Sequence, residues 1–198
     1  AAVLRYETGG VSQLWVQTRL APGVTLSDFT PMGLDEIRRR AASSDPAERG
    51  ELVGLSGIFS LASEFRPVAL DALPYGDLAA RLAAPGHSLL HSHGAIGCLE
   101  AALPRLRHGG FALLSDYGQT EGVTRPEPWD HQRFGASCAI GLNFPLLEAH
   151  FREVYPCDWL SPAAETGPLH SRLLGRGVAG PVADAFRRLF DQAAIVWA

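Results

Sequence analysis

The chain has few cysteines, little basic charge and no long apolar run, and each shortage excludes a class of protein. Its three cysteines, Cys98, Cys138 and Cys157, form no Cys-x-x-Cys pair. This argues against a zinc ribbon or a redox dithiol and favours reduced thiols in the cytoplasm. The net charge is −4 and no basic stripe is present, so nucleic acid is not expected as a partner.

No apolar stretch has the length of a bilayer crossing. The N-terminus opens in a strand-like pattern, without the basic segment that begins a signal peptide. We therefore expect a cytoplasmic protein with no membrane partner. At 198 residues, with 46% hydrophobic and 19% charged residues, the chain is long enough for one domain with a full core.

A hairpin is predicted at the start of the chain. Residues 3–7 and 13–20 have strand patterns, and Thr8-Gly9-Gly10 between them suits a tight turn. We interpret this pair as a solvent-facing antiparallel ribbon.

Helices are predicted next. Residues 34–42 form a short charged helix, and Asp45 with Pro46 can begin another. We interpret residues 47–63 as one broken helix, residues 65–70 as extended and residues 77–84 as a helix.

A strand, a helix and a second strand are predicted in the middle of the chain. Residues 88–90 are a short apolar run, residues 99–106 have apolar side chains at helical spacing, and residues 111–114 are a continuous apolar run. Such a continuous run is typical of a strand that is buried on both faces. A right-handed crossover would make the two strands parallel. Ligands bind at the carboxyl ends of parallel strands, so we expect a site at residues 91–93 and 115–117.

The sequence after residue 118 predicts a loop, two strands and two helices, and it leaves one stretch without a defined element. A long polar loop, residues 119–129, is typical of a lid or a substrate wall. Residues 136–142 and 154–159 have strand patterns, and Asn143 with Pro145 begins a helix that runs to about residue 152. Residues 160–180 are rich in glycine and proline and give no defined element. Residues 182–194 are predicted to form an amphipathic helix.

One candidate site is the nucleophile of a serine hydrolase. The segment Leu90-His91-Ser92-His93-Gly94 lies between a strand and a helix, where such a serine sits. Leu90 occupies the first position of the G-x-S-x-G pattern, which is normally glycine. Asp158 and His170 follow Ser92 in the chain order of the acid and the histidine.

A metal site is a second hypothesis for the same segment. His91 and His93 point to the same side if the segment is extended, but further ligands would have to come from His87, Asp116 or His131. The alternative is a polar turn that caps the sheet. Asp116, at the end of its strand, can likewise orient a substrate or cap a loop.

Residues 105–118 resemble the passage of class I S-adenosylmethionine-dependent methyltransferases in which Gly-Gly precedes the fifth strand. The ending Asp116-Tyr117-Gly118 resembles the MidA-like family, the complex I assembly arginine methyltransferases and their bacterial relatives. Residues 5–10 and 14–17 resemble the β-ribbon insert of that family, and residues 141–147 resemble its short strand-to-helix segment. The resemblance covers much of residues 1–152.

The resemblance implies an α/β fold, a three-layer Rossmann-like mixed sheet with an N-terminal β-ribbon insert, and S-adenosylmethionine as the cofactor. The family's Gly-rich cofactor loop and its ribose-binding acid have no counterpart here, so the chain resembles the C-terminal half of such an enzyme. We expect one α/β domain over residues 1–198, a fragment of a longer chain. Its parts would be a ribbon insert (1–30), a sheet core (65–160) and a C-terminal helical extension (161–198).

The implied activity is methyl transfer to a protein side chain or a small molecule, with this half on the acceptor side. Asp116 and Tyr117 are the predicted acceptor-side residues, with His93 and the loop of residues 119–129 nearby. No cofactor-binding residue and no metal ligand is assigned. The alternatives are a serine hydrolase built on Ser92 and a non-catalytic methyltransferase-like domain that binds a protein partner.

Overall fold

The computed structural model describes residues 1–126, 132–134, 137–155, 157–165, 167 and 169–191. These residues form two compact units. The first unit takes its described residues from Ala1–Gln13, Pro67–Trp129 and Ile140–Ala198, and the second from Leu14–Arg66 and Asp130–Ala139. Compact units also occur within one domain, so the predicted single-domain layout of residues 1–198 stays a prediction.

The described residues contain both strands and helices, which confirms a mixed α/β fold. In chain order the strands are β1 (Ala2–Glu7), β2 (Gly10–Leu20), β3 (Phe59–Pro67), β4 (Ser88–His91), β5 (Phe111–Gln119), β6 (Thr124–Arg125), β7 (Gln132–Phe134), β8 (Ser137–Ala139), β9 (Leu142–Asn143), β10 (Asp158–Leu160) and β11 (Leu169–Gly175). The helices are α1 (Leu34–Ala41), α2 (Pro46–Gly50), α3 (Gly76–Leu82), α4 (His93–Ala102), α5 (Phe144–Val154) and α6 (Gly180–Phe190). Short 3-10 segments lie at Leu26–Asp28, Val53–Ile58, Leu70–Ala72 and Leu103–Arg105.

The predicted hairpin at the start of the chain is confirmed. β1 and β2 pair antiparallel, with Glu7 opposite Gly10 across a tight turn. The prediction that the ribbon faces solvent is wrong for β1, since Val3 is 2% exposed and Leu4 is 0% exposed. The reason is that β4 pairs with the other edge of β1, with Ala2 opposite His91.

The predicted parallel pairing of the two central strands is wrong. β4 pairs antiparallel with β1 and with β6, whereas β5 pairs antiparallel with β11 and parallel with β9. β4 and β5 therefore belong to different sheets. The crossover rule makes two strands parallel only when they share a sheet, and no local feature of the sequence indicates that β11 pairs with β5.

β5 lies inside a four-stranded sheet in the order β10-β11-β5-β9. Its apolar run is not buried on both faces, since Phe111 is 48% and Leu113 51% exposed. Leu114, on the opposite face, packs against the apolar core. The strand is thus covered on one face at its start, although its sequence is continuously apolar.

The described residues of the first unit include an apolar core to which both of its sheets contribute. Leu4 and Leu89 come from β1 and β4, and Leu174 comes from β11. Leu147 and Phe151 of α5 pack in the same cluster and are 0% exposed. The predicted start of α5 is confirmed, because the Asn143 side chain accepts a hydrogen bond from Leu146 N and proline follows in the first turn.

The second unit has a smaller core around Ile37, Leu55 and Ile58. The predicted helix over residues 34–42 is confirmed as α1. Asp45 begins α2 as predicted, since its Oδ1 accepts a hydrogen bond from Ala47 N at 2.8 Å. The broken helix over residues 47–63 is wrong from residue 59 onward, where β3 begins.

Other predicted elements agree in part. The helices over residues 77–84 and 182–194 correspond to α3 and α6, although residues 192–194 lie outside the described residues. The strand predicted over residues 154–159 is limited to β10, because Val154 ends α5. In the predicted strand over residues 136–142, β8 pairs with β7, and residue 136 is outside the described residues. Among the described residues, no helix is both long and apolar enough to span a bilayer.

Candidate functional site

The end of β4 holds two buried polar side chains in the first unit. His91 is 0% and Ser92 1% exposed. Nε2 of His91 lies 2.6 Å from Pro74 O, so this nitrogen carries a proton and is the donor. Burial lowers the pKa of His91, which favours the neutral form of the ring.

His93 follows as the first residue of α4. Its ring centre lies 5.5 Å from that of His91, and burial also lowers the pKa of His93. Among the described residues, no group of three or more His, Cys, Asp or Glu side chains is arranged to hold a metal ion. His131, one of the hypothetical ligands, lies outside the described residues.

Asn143 joins the ends of the two sheets. Its backbone N donates to Ser92 Oγ at 3.1 Å, and its Nδ2 donates to Val123 O at 2.8 Å. Its Oδ1 accepts from Leu146 N at 3.1 Å and caps α5. Because Asn143 also pairs with Gln119 in register, the carboxyl ends of β4 and β5 meet through this one buried residue.

The β5–β9 junction requires glycine on both sides. A Cβ atom on Gly118 would lie 2.1 Å from Leu142 O, and one on Gly141 would lie 2.9 Å from Tyr117 O. Gly141 also has a φ of +74°, which favours glycine. The two backbones therefore approach closely just beyond Asp116 and Tyr117.

Asp116 lies beside His170 on the neighbouring strand. The two residues are directly opposite in the antiparallel register of β5 and β11, so their side chains share one face of the sheet. Both are partly buried. One position earlier on β5, Ser115 Oγ and Ser171 Oγ are 2.8 Å apart, which supports the same register.

A buried ion pair lies next to His170. The Arg172 side chain is 4% and that of Glu165 17% exposed. Arg172 Nη2 donates to Glu165 Oε2 at 3.0 Å, and Nη1 donates to Glu165 Oε1 and, at 2.8 Å, to Ser171 O. His170 Nδ1 lies 3.6 Å from Glu165 Oε1. We call Asp116, Glu165, His170 and Arg172 the strand-end cluster.

Phe144, the first residue of α5, covers the strand-end cluster. Its ring centre lies 4.7 Å from the Arg172 guanidinium carbon. It also lies 5.9 Å from the ring centre of His170, and the two rings meet edge to face. Beneath it, Arg172 Nε and His170 Nδ1 are buried and have no hydrogen-bond partner among the described residues. Unsatisfied buried polar atoms are costly, so a polar group of a ligand would be stabilised there.

Tyr117 does not share this site with Asp116. Consecutive strand residues point to opposite faces, and Tyr117 is 54% exposed on the face that also carries Leu169, its register partner. The link between Asp116 and Tyr117 is local, since Asp116 Oδ1 accepts from Tyr117 N at 2.8 Å. Of the predicted site residues, Asp116 faces the strand-end cluster, Tyr117 faces the other way, and His93 lies beside His91.

The acid and the histidine suggested for a serine hydrolase do not come together. Asp158 is opposite Gly175 on β11, whereas His170 lies five residues earlier on that strand, roughly 17 Å away at about 3.3 Å per residue. Asp158 Oδ2 instead accepts from Val178 N at 2.8 Å. The Ser92–His170–Asp158 combination is therefore wrong.

Sequence reasoning missed Glu165 and Arg172 and weighed His170 only for the hydrolase. All three lie in or beside β11, within the stretch that gave no defined element. The alternation of Leu169, Ser171 and Leu173 with His170 and Arg172 is a strand signal, but it does not indicate which strand is the partner.

Searches for similar proteins give no relative from which a role could be transferred. No family model matches the chain. No curated protein and no solved structure matches it either.

Proposed function

We propose that this chain is the acceptor-side half of an S-adenosylmethionine-dependent methyltransferase. In this proposal the strand-end cluster binds the methyl acceptor, a protein side chain or a small molecule. The observation that carries it is the pairing of Asp116 with His170 at the end of β5, beside two buried polar atoms that lack partners. β5 is the strand whose sequence resembles the methyltransferase passage.

The proposed whole fold is a three-layer Rossmann-like mixed sheet with an N-terminal β-ribbon insert. Support comes from the parallel β5–β9 pair and from α5, whose apolar residues pack in the core with Leu174 of β11. The separation of β4 and β5 into two sheets departs from a single Rossmann-like sheet. Asn143 nevertheless brings their carboxyl ends together, which is where such folds bind ligands.

The chemistry assigned to this chain is positioning and proton removal. A methyl acceptor must lie in line with the transferred group, and positioning supplies much of the rate in such reactions. In this proposal, His170 or Asp116 accepts the proton that the acceptor loses, since a neutral imidazole and a carboxylate are suitable bases. The Glu165–Arg172 pair, held under Phe144, positions His170.

S-adenosylmethionine would supply the methyl group, but the described residues do not fit it. A glycine-rich segment, residues 175–180, does lie between β11 and α6. Its Val178 N already donates to Asp158 Oδ2, and a Cβ on Gly177 would lie 2.2 Å from the His108 ring, so the segment is packed against other parts of the chain. At the end of β4, Ser92 is already bonded to Asn143 and His91 to Pro74, and no acidic side chain follows to receive ribose hydroxyls. We therefore assign no cofactor-binding residue within this chain.

The test combines cofactor binding with methyl transfer. Calorimetry would measure S-adenosylmethionine binding to this chain and, if its gene encodes sequence upstream of Ala1, to that longer chain. We expect binding by the longer chain only. In it, Asp116→Asn and His170→Gln should keep cofactor binding and lose transfer of labelled methyl groups, whereas Asp184→Asn, on the exposed surface of α6, should change neither. Absence of cofactor binding by both chains would refute the proposal.

A non-catalytic partner-binding domain is the second candidate. The observation in its favour is a group of exposed apolar side chains on one face of β5 and β11, where Phe111 is 48%, Leu113 51% and Leu169 42% exposed. Leu173, on the same face, is buried. Exposed apolar patches of this kind mark interaction surfaces. In this case Leu113→Glu would abolish capture of a protein partner, and the Asp116 and His170 variants would have no effect on it.

A further inference from the structure

A cavity of about 720 Å³ lies within the second unit, between β2, α1, β3 and the segment before β3. Apolar side chains from several of these elements line it, among them Ile37, Leu52, Phe59 and Leu61. Small-molecule sites usually have volumes of roughly 300–1,000 Å³ and largely apolar walls. Size and lining therefore suit a small ligand with an apolar body.

The charged side chains on this cavity are both cationic. Arg19 and Arg38 line it, and no Asp or Glu occurs among its described lining residues. Arg19 Nε and Nη2 donate to Gln17 Oε1 at 2.9 and 2.6 Å, so its partner is a neutral amide. Arg38 pairs with Asp35 at 3.0 Å, but the two side chains are 75% and 97% exposed, and such surface pairs contribute little.

We propose that this cavity binds an amphipathic carboxylate. The apolar body would pack against Ile37, Phe59 and Leu61, and the carboxylate would replace Gln17 as the partner of Arg19, with Arg38 beside it. A guanidinium forms two parallel charge-assisted hydrogen bonds with a carboxylate, which its amide partner cannot match. A cationic ligand would be repelled by both arginines. The site lies wholly within the second unit and does not depend on methyl transfer.

The test uses decanoate as the probe, titrated calorimetrically into the whole chain below the concentration at which it forms micelles. We expect saturable binding of one decanoate per chain. Decanol, which has the same apolar body without the charge, should bind roughly two- to fivefold more weakly, because Arg19 is exposed and exposed ion pairs contribute modestly. Arg19→Gln should weaken decanoate binding by a similar factor, and Arg49→Gln, outside the cavity, should not change it.

A second variant tests the location of the ligand. Ala41 lines the cavity and is exposed, so Ala41→Trp should fill it without disturbing the core, and decanoate binding should be lost. Circular dichroism would verify that each variant is folded.

Four results would overturn the proposal. The first is absence of saturable decanoate binding. The second is equal affinity for decanoate and decanol, and the third is equal affinity of wild type and Arg19→Gln for decanoate. The fourth is a dimer in sedimentation that Ala41→Trp disperses, because this would assign the cavity to a second copy of the chain.

Discussion

A substitution in the Glu165–Arg172 pair tests whether the strand-end cluster is shielded from solvent. The Arg172 side chain is 4% exposed and its partner Glu165 is 17% exposed. Removing one partner of a buried pair leaves an uncompensated charge, so Glu165→Gln should lower the free energy of unfolding by about 3–5 kcal/mol. Urea denaturation followed by circular dichroism would measure it.

The chain offers a matched control for this prediction. Glu153 pairs with Arg81 at 2.5 Å, and their side chains are 54% and 50% exposed. Glu153→Gln should therefore cost less than about 1 kcal/mol. Equal losses in the two variants would mean that the Glu165–Arg172 pair is effectively solvated, and the argument for a binding site around it would fail.

Ser92 is expected to be a structural residue. It is 1% exposed, and its Oγ accepts from Asn143 N at 3.1 Å. A fluorophosphonate probe should leave the native chain unlabelled. Ser92→Ala should lower the free energy of unfolding by about 1–3 kcal/mol, because a buried N–H loses its acceptor.

Ser44→Ala, at an exposed position, is the control for the change in side chain and should cost less than about 0.5 kcal/mol. Mass spectrometry that located the fluorophosphonate on Ser92 would restore the hydrolase hypothesis and remove this structural role.

At the scale of elements, the β5–β9 junction depends on glycine. A Cβ on Gly118 would lie 2.1 Å from Leu142 O, and neither backbone can yield without separating the strands. Gly118→Ala should therefore destabilise the protein by at least about 1–3 kcal/mol and increase hydrogen exchange at Asn143. The measurement is urea denaturation combined with hydrogen exchange.

Gly94 provides a control of the opposite sign. It lies in the first turn of α4, and nothing is within 4 Å of a Cβ built there. Gly94→Ala should raise the free energy of unfolding by about 0.4–1 kcal/mol, because alanine restricts the unfolded chain. If both alanine variants were equally stable, the close approach of Gly118 to Leu142 would not hold in solution.

The sequence predicts elements well where a local signal begins them. α2 and α5 start at Asp45 and Asn143, whose side chains accept hydrogen bonds from the first turn, and proline follows each. The β1–β2 hairpin has a glycine turn. These signals involve neighbours in the chain, so a single sequence contains them.

Pairings between distant segments cannot be predicted in this way. β11 lies about fifty residues beyond β5, and nothing in its sequence specifies that His170 faces Asp116. Of the four residues in the strand-end cluster, the sequence therefore predicts only Asp116 as an acceptor-side residue. The same limitation explains why β4 and β5 were expected to be neighbours.

At the scale of the molecule, three helices of the first unit are joined by one polar group of side chains. Tyr75 Oη donates to Glu100 Oε2 at 2.5 Å, and His150 Nε2 lies 2.8 Å from Glu100 Oε1. These residues stand at the start of α3, in α4 and in α5. The bond to Glu100 raises the pKa of Tyr75 to about 12. Burial raises the pKa of Tyr6, in β1, to about 12 as well.

These two tyrosines predict how stability responds to alkali. In the unfolded chain a tyrosine loses its proton near pH 10, whereas Tyr6 and Tyr75 keep theirs to about 12. Their contribution is therefore present below pH 10 and is lost as the pH rises from 10 to 12. Tyr6 alone should account for on the order of 2 kcal/mol of this loss.

Urea denaturation at a series of pH values would measure the effect, with Tyr6→Phe and Tyr75→Phe beside wild type. Each variant should flatten the fall between pH 10 and 12. At pH 7, Tyr6→Phe should cost little, because Tyr6 Oη is buried without a partner among the described residues. Tyr75→Phe should be destabilised there, because Glu100 loses a donor. A fall of unchanged steepness in both variants would contradict the raised pKa values and, with them, the burial of Tyr6 in β1 and the hydrogen bond between Tyr75 and Glu100.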